Sequence, residues 1–164
     1  MTRRQLTLFV PHAEAAPIEA LRAALDPVQH ALIAAHVTLC REDELAALAD
    51  GALEARLANG AAAAVTLAFG PAERFDGHGI LLGATAGLAE FQALRAHVLG
   101  RDDVRLHRPH LTLAHPRNPR APGNDLALAH TLADPLVVTF VAATLIEQAD
   151  GGPWRVLREW ALAE

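Results

Sequence analysis

One four-residue pattern occurs twice in this chain. HVTL occupies residues 36–39 and HLTL occupies residues 110–113. Nine His and nine Thr in 164 residues predict only about half a His-x-Thr by chance. A second similarity, ALRA at 20–23 and again at 93–96, has nearly the same offset as the motif pair. The agreement between the two offsets indicates an internal duplication, and this constrains the fold more than any other feature.

The order of predicted elements repeats in the same way. Apolar periodicity and turn residues predict strands at 6–10, 31–40, 64–75, 79–85 and 104–115, and helices at 17–25, 43–58, 88–99 and 125–133. The segment from 135 to 163 predicts a closing hairpin around Asp150-Gly151-Gly152-Pro153. We therefore expect one domain over 1–164, with structural repeats at about 5–75 and 79–149 and a closing strand at 154–163.

Strand geometry indicates what each motif presents. Side chains at i and i+2 point to the same face of a strand, so His36 and Thr38 share a face, as do His110 and Thr112. The intervening apolar residues point to the opposite face and anchor each strand. If the halves pair as pseudo-twofold mates, two imidazoles and two hydroxyls meet in a common groove.

This set of groups suits a phosphodiester. Hydrolysis needs one group to accept a proton from the nucleophile and another to donate a proton to the leaving oxygen. Histidine, with an ordinary pKa of about 6.5, can take either role near neutral pH. The two Thr hydroxyls can donate to the non-bridging phosphate oxygens.

Other chemistries have less support from the sequence. A metal site is disfavoured because His107, His110 and His115 do not share one strand face and no Cys pair or His-x-His occurs. A serine hydrolase is disfavoured because the chain has no G-x-S-x-G. No glycine-rich phosphate loop occurs either. We expect no metal and no cofactor.

Charge and cysteine content limit the partners and the compartment. The net charge of −5 argues against non-specific binding to duplex DNA. The segment 104–124 nevertheless lacks acidic residues and contains four Arg and three His, which suits a small anion or an RNA end, although it is also typical of a basic surface loop. No apolar run is long enough to span a bilayer. A single cysteine, Cys40, fits a reducing compartment, so we expect a soluble, cytoplasmic, monomeric protein.

Four further residues are candidates for contact with a substrate. His115 and Arg117 lie just beyond the second motif, in the stretch HPRNPR, whose role the sequence does not assign. Arg41 and Arg108 flank the motifs and could attract a phosphate, but by strand parity neither shares the face of its motif histidine.

The strand-and-helix opening LTLFVP, HVTL, the mid-chain strand pair, RPHLTL and the closing strands together resemble the two-histidine phosphoesterase superfamily. That superfamily includes bacterial 2′-5′ RNA ligase-like proteins and cyclic nucleotide phosphodiesterases. The resemblance implies a bilobal α+β fold in which two antiparallel sheets face a central groove, with helices outside. It also implies metal-independent chemistry on 2′,3′-cyclic phosphates, 2′,5′ linkages or related cyclic phosphodiesters. By motif match, His36 and His110 would be the acid/base pair, and Thr38 and Thr112 would bind phosphate.

Two alternatives to an enzyme stay open at this point. A binding module would capture a terminal phosphate or a cyclic nucleotide without turning it over. A structural or scaffolding protein would leave the matched motifs unexplained. The absence of Tyr and the five Phe make base-stacking residues scarce, which disfavours long single-stranded RNA as the ligand.

Overall fold

Two antiparallel four-stranded sheets form the framework of the computed structural model, which describes residues 1–76, 79–118 and 125–164. The strands are β1 (Thr2–Phe9), β2 (His36–Cys40), β3 (Val65–Phe75), β4 (Gly79–Ala86), β5 (His110–Ala114), β6 (Leu136–Phe140), β7 (Ala142–Ala149) and β8 (Trp154–Ala161). The helices are α1 (His12–Leu25), α2 (Pro27–Leu32), α3 (Glu42–Ala46), α4 (Ala52–Leu57), α5 (Leu88–Leu99) and α6 (Leu126–Ala129). The α+β prediction with two antiparallel sheets is confirmed.

The chain contributes to the sheets in an interleaved way. The first sheet has the strand order β2-β1-β7-β8, and the second has the order β5-β4-β3-β6. The first sheet therefore combines the beginning and the end of the chain, whereas the second contains the four middle strands. Both motif strands, β2 and β5, lie at sheet edges, and they contact each other across the boundary between the sheets.

A β-bulge occurs at the same position of both motifs. In the first sheet, Thr38 pairs with Thr7 and Cys40 with Leu6, so Leu39 is the extra residue. In the second sheet, Thr112 pairs with Leu81 and Ala114 with Ile80, so the extra residue is the corresponding leucine of the second motif. The two motif strands therefore share their local irregularity as well as their sequence.

The apolar residues of the motifs fix these strands in the core. Val37, Leu39, Leu111 and Leu113 are at most 1% exposed and belong to one buried cluster that also includes side chains of α1 and α5. Burial of each such side chain contributes roughly 1.5–3 kcal/mol. The opposite faces of the motif strands are thereby held towards the space between the sheets.

The structure corrects the predicted strand at 31–40, which begins only at His36. Residues 27–32 form α2, because Pro27 suits the first helical turn and the Asp26 carboxylate caps it by accepting a hydrogen bond from the backbone N of Gln29 at 3.1 Å. The predicted strand at 104–115 is also shorter and spans only 110–114. Pro109, which has no N–H to offer a neighbouring strand, immediately precedes it.

Three predicted helices have different bounds. The predicted helix at 43–58 is divided into α3 and α4, because Gly51 takes a left-handed conformation with φ 77°. Helix α1 begins at His12 rather than at Pro17, which lies inside it, and its buried apolar face outweighs the loss of one hydrogen bond. The predicted helix at 125–133 is regular only over 126–129.

The last part of the chain also differs from the prediction. The predicted hairpin of 135–149 with the closing strand forms only in part, because β6 pairs with β3 in the second sheet and only β7 pairs with β8. The helix at 88–99 and the β3–β4 pair are confirmed. Among the described residues, no helix is both long enough and apolar enough to cross a membrane.

Candidate active site

The two motifs open onto one cavity of about 380 Å³ between the sheets. The four motif side chains His36, Thr38, His110 and Thr112 all line it. The other lining residues are Arg3, Gln5, Arg22, Gln29, Ile33, Phe75, Asp76, Leu113, His115, Pro116, Arg117 and Trp154. The structure thus brings the duplicated imidazoles and hydroxyls together in a single polar cavity.

Both imidazoles are held by the same type of hydrogen bond. Nδ1 of His36 lies 2.8 Å from the carbonyl oxygen of Ala34, and Nδ1 of His110 lies 3.1 Å from that of Arg108. A carbonyl can only accept, so Nδ1 carries the proton in each ring. Nε2 of each ring is therefore the atom that can exchange a proton with a substrate.

A phenyl ring flanks each imidazole at the same distance. The centroid of the Phe9 ring lies 6.2 Å from that of His36, and the centroid of the Phe75 ring lies 6.2 Å from that of His110. These rings limit the rotation of the imidazoles and reduce their contact with water. The pseudo-symmetry of the site therefore extends beyond the motifs.

Gln5 orients the hydroxyl of Thr38. Its Nε2 lies 3.3 Å from Oγ1 of Thr38 and 3.0 Å from Oγ1 of Thr7. Because the amide N–H donates to these oxygens, the proton of the Thr38 hydroxyl remains available for an acceptor in the cavity. That arrangement suits a phosphate oxygen.

His36 is favoured in its neutral form. Its pKa is lowered from 6.5 to about 4, mainly by burial and also by the nearby charges of Arg22 and His110, whereas the hydrogen bond to Ala34 opposes the shift. Arg22 is itself 3% exposed and is held by Glu19 at 2.9 Å and by the carbonyl oxygen of Ile33 at 2.8 Å. A fixed cation therefore stands beside a neutral imidazole.

His115 and Arg117 line the cavity, as the sequence predicts for substrate contacts. The backbone N of Arg117 donates to Nδ1 of His115 at 3.1 Å, and the backbone N of His115 donates to the Asp26 carboxylate at 2.9 Å. Burial and the charge of Arg117 lower the pKa of His115. Of the stretch HPRNPR, residues 119 and 120 lie outside the described residues.

Arg41 and Arg108 do not line this cavity. The Arg108 guanidinium packs over Gly83 and forms an ion pair with Glu73 at 2.7 Å. Arg41 lines a smaller neighbouring cavity of about 290 Å³. Neither residue lies within its motif strand, since Arg41 follows the end of β2 and Arg108 precedes the start of β5.

The side chains of Arg95 and His107 connect β2 with the segment that immediately precedes β5, the motif strand of the other sheet. Arg95 of α5 donates hydrogen bonds to the carbonyl oxygens of Leu39 in β2 and, at 3.1 Å, of Arg105. Nε2 of His107 lies 3.2 Å from the carbonyl oxygen of Thr38, and the His107 ring stacks on Phe91 with a centroid distance of 5.8 Å. These contacts help to fix the separation of His36 and His110.

Sequence reasoning missed several residues of the cavity: Arg3, Gln5, Arg22, Phe75 and Trp154. Arg22 carried the one available signal, because it belongs to the repeated ALRA segment whose second copy contains Arg95. The others come from strands remote in sequence, and no local pattern distinguishes them.

The described residues form no candidate metal site, and a second cavity lies away from the motifs. Within residues 1–76, 79–118 and 125–164, no group of three or more His, Cys, Asp or Glu side chains is placed to hold a metal ion. A larger cavity of about 590 Å³ lies between the first sheet and the α3–α4 segment. Its lining includes none of the four motif side chains.

The fold and the cavity define an α+β protein with two antiparallel sheets and paired His-x-Thr strands. The sequence matches the 2′-5′ RNA ligase superfamily over residues 9–152. The chain therefore belongs to this superfamily, and the resemblance noted from the motifs is confirmed.

Several solved structures share this fold over nearly the whole chain. E. coli LigT complexed with NADP⁺ aligns with a TM-score of 0.60 and 20% identity, covering 99% of this chain and 98% of that one. E. coli LigT complexed with 3′-AMP aligns with a TM-score of 0.61 and 20% identity, covering 99% of both chains. A structure described only as a phosphoesterase aligns with the same TM-score, identity and coverage as the 3′-AMP complex. Comparison with curated protein sequences finds no significant match.

Proposed function

We propose that this protein is a metal-independent phosphodiesterase acting on 2′,3′-cyclic phosphates, 2′,5′ linkages or related cyclic phosphodiesters of RNA ends or small nucleotides. The observation that carries the proposal is the shared cavity of His36, Thr38, His110 and Thr112, in which Nδ1 of each imidazole lies within hydrogen-bond distance of a backbone carbonyl oxygen. The nucleotide complexes of E. coli LigT, a protein of the same fold, support this class of ligand.

The proposed reaction is hydrolysis of a cyclic phosphodiester. Water attacks phosphorus while Nε2 of neutral His36 accepts the proton of the water. Nε2–H of protonated His110 donates its proton to the departing ribose oxygen, so one P–O bond forms as the other breaks. The lowered pKa of His36 supports its assignment as the base.

The other side chains bind and position the phosphate. The Thr38 hydroxyl, oriented by Gln5, donates to a non-bridging oxygen, and Thr112 is placed to do the same. Arg22 and Arg117 supply positive charge at the cavity. His115 presents Nε2 to the substrate, because its Nδ1 is occupied by the backbone N of Arg117.

The test is turnover of 2′,3′-cyclic nucleotides, a 2′,5′-linked dinucleotide and an ADP-ribose cyclic phosphate, all with EDTA present. We expect product from at least one substrate and a loss of about 10²–10⁴-fold in kcat for His36→Ala and for His110→Ala. His97→Gln is the matched control, because His97 lies on α5 and contacts the Arg56 carbonyl outside the cavity. Full activity in either motif variant would refute the proposal.

A substrate with a good leaving group separates the two histidines. A nitrophenyl phosphodiester needs little help from a general acid, so His110→Ala should retain much more activity on it than His36→Ala does. The opposite order would exchange the two roles. Ligand binding without product in the wild type would instead identify a binding module.

A further inference from the structure

A single indole ring borders the cavity that holds the two motif histidines. Trp154, the first residue of β8, lines this cavity and also a second recess of about 380 Å³ beside it. Ile33 likewise lines both spaces. The two spaces are therefore adjacent and share one wall.

The second recess has an amphipathic lining, to which both apolar and polar side chains contribute. Its apolar lining comes from Phe9, Leu32, Ile33, Ile146, Trp154 and Val156. Glu19 and His30, whose side chains form an ion pair at 3.2 Å, add polar groups to it. Flat ligands with apolar faces and polar edges fit such a lining, and nucleobases are ligands of this kind.

The recess is also close to the proposed reaction centre. Phe9 lines the recess, and its ring centroid lies 6.2 Å from that of His36. A ligand that packs against Phe9 is thus only about one sugar ring away from the imidazole. A base and a cyclic phosphate joined by ribose can occupy the two spaces together.

Arg3 holds the indole in place and covers one of its faces. Its guanidinium carbon lies 5.0 Å from the Trp154 ring centroid, and its Nε donates to Oε1 of Gln148 at 2.7 Å. Gln148 is 4% exposed and donates in turn to the carbonyl oxygen of Gly152 at 2.7 Å. The indole is thus held by a cation over one face, while its ring borders both spaces.

We infer that Trp154 and the adjoining recess bind the nucleobase of the substrate, while its cyclic phosphate lies between His36 and His110. This inference rests on the proposed function and narrows its substrates to those that carry a base next to the reacting phosphate. Stacking on an aromatic side chain tolerates every base, so the recess selects for the presence of a base more than for its identity.

Kinetics on two matched substrates test the inference. The first is a 2′,3′-cyclic nucleotide, and the second is the methyl riboside 2′,3′-cyclic phosphate, which lacks only the base. Trp154→Ala should raise KM for the nucleotide about 5–150-fold, the equivalent of 1–3 kcal/mol of stacking, and raise KM for the base-free substrate much less. Trp154→Phe should restore most of the affinity. Equal effects on both substrates, or no effect, would overturn the inference and leave the proposed function intact.

Fluorescence gives a second readout that does not depend on turnover. The chain has two Trp and no Tyr, and Trp160 lines a different cavity from Trp154. In Trp160→Phe the emission comes from Trp154 alone, and 3′-AMP should quench it whereas ribose 3-phosphate should not. In Trp154→Phe the emission of Trp160 should not respond. If 3′-AMP quenches Trp154 but the protein turns over none of the cyclic or 2′,5′-linked substrates, the base site is supported and the catalytic proposal is refuted. If the emission of Trp154 does not respond to 3′-AMP, the base site is refuted.

Discussion

Arg95 and Glu44 form a buried ion pair, with Nη2 of the arginine 2.6 Å from Oε1 of the glutamate. Burial alone would raise the pKa of Glu44, but the hydrogen bonds from Arg95 and from the Arg41 backbone outweigh it and lower the pKa. Through Arg95 this pair also reaches the carbonyl of Leu39 in β2 and the carbonyl of Arg105 before β5. Since β2 and β5 are edge strands of different sheets, this pair contributes to the geometry of the cavity.

The stability of the protein should depend strongly on this pair. Arg95→Met leaves a buried carboxylate and two carbonyls without their donor, so we expect a loss of about 3–5 kcal/mol in the free energy of unfolding, measured in urea. The neighbouring pair between Asp43 and Arg105 is exposed, at 3.1 Å, and Asp43→Asn should cost less than about 1 kcal/mol. Similar losses in the two variants would contradict this account.

His107 is expected to act as a positioning residue. His107→Phe retains an aromatic ring against Phe91 but loses the hydrogen bond to the Thr38 carbonyl. We expect kcat to fall by about 10-fold or more with little change in KM, because small displacements of reacting groups are costly. If His107 contributes only packing, the phenylalanine variant will have the kcat of the wild type.

The pH dependence of activity should reflect the environment of His36. A base must be deprotonated to act, and the pKa of His36 is lowered to about 4, so kcat/KM should decline only as the pH falls through about 4, well below the ordinary 6.5. Arg22→Gln removes a cation that disfavours protonation, so it should move this acidic limb to higher pH. Arg22→Lys keeps the charge and is the control. An acidic limb near pH 6.5 in the wild type would refute the assignment.

Two glycines provide a test of backbone strain against steric contact. Gly51 and Gly87 have φ of 77° and 82°, and an added Cβ would meet nothing within 4 Å at Gly51 but would lie 2.0 Å from the Thr66 carbonyl oxygen at Gly87. Gly51→Ala should therefore cost about 1–2 kcal/mol from conformation alone. Gly87→Ala should lower the free energy of unfolding by about 1–3 kcal/mol more than Gly51→Ala does, because the Thr66 carbonyl oxygen must move. Thermal and urea unfolding measure the stability loss of each variant. Equal losses would show that the contact with the Thr66 carbonyl oxygen adds nothing to the effect of the backbone conformation.

Much of the fold could be predicted from local pattern. The β3–β4 pair and α5 follow from alternation, helical spacing and their stop residues, and the structure agrees. Pattern failed where a single cap or turn residue decided the outcome. Asp26 begins a new helix in a stretch that otherwise suggests a strand, and Gly51 divides what composition suggests is one helix.

For the candidate site, the sequence predicts only which side chains share a face within each motif strand. Parity places His36 with Thr38 and His110 with Thr112. Arg41 and Arg108 do not line the cavity either, but they lie outside the motif strands, where parity no longer applies. Arg3 and Gln5 could not be found in this way, because β1 lies beside β2 in the first sheet only through long-range pairing.

The two tryptophans show most directly what the sequence determined and what it did not. Trp154 and Trp160 are six residues apart on β8, and uninterrupted alternation would put them on the same face of the sheet. A bulge opposite Leu145 and Ile146 makes Leu157 an extra residue and reverses the alternation, so Trp154 borders the cavity of the motif histidines while Trp160 lies on the other face. The sequence by itself determined which residues are paired within each motif, because alternation is a local property of the backbone. Only the tertiary structure decided which remote side chains join them, because bulges and sheet order depend on pairing between distant strands.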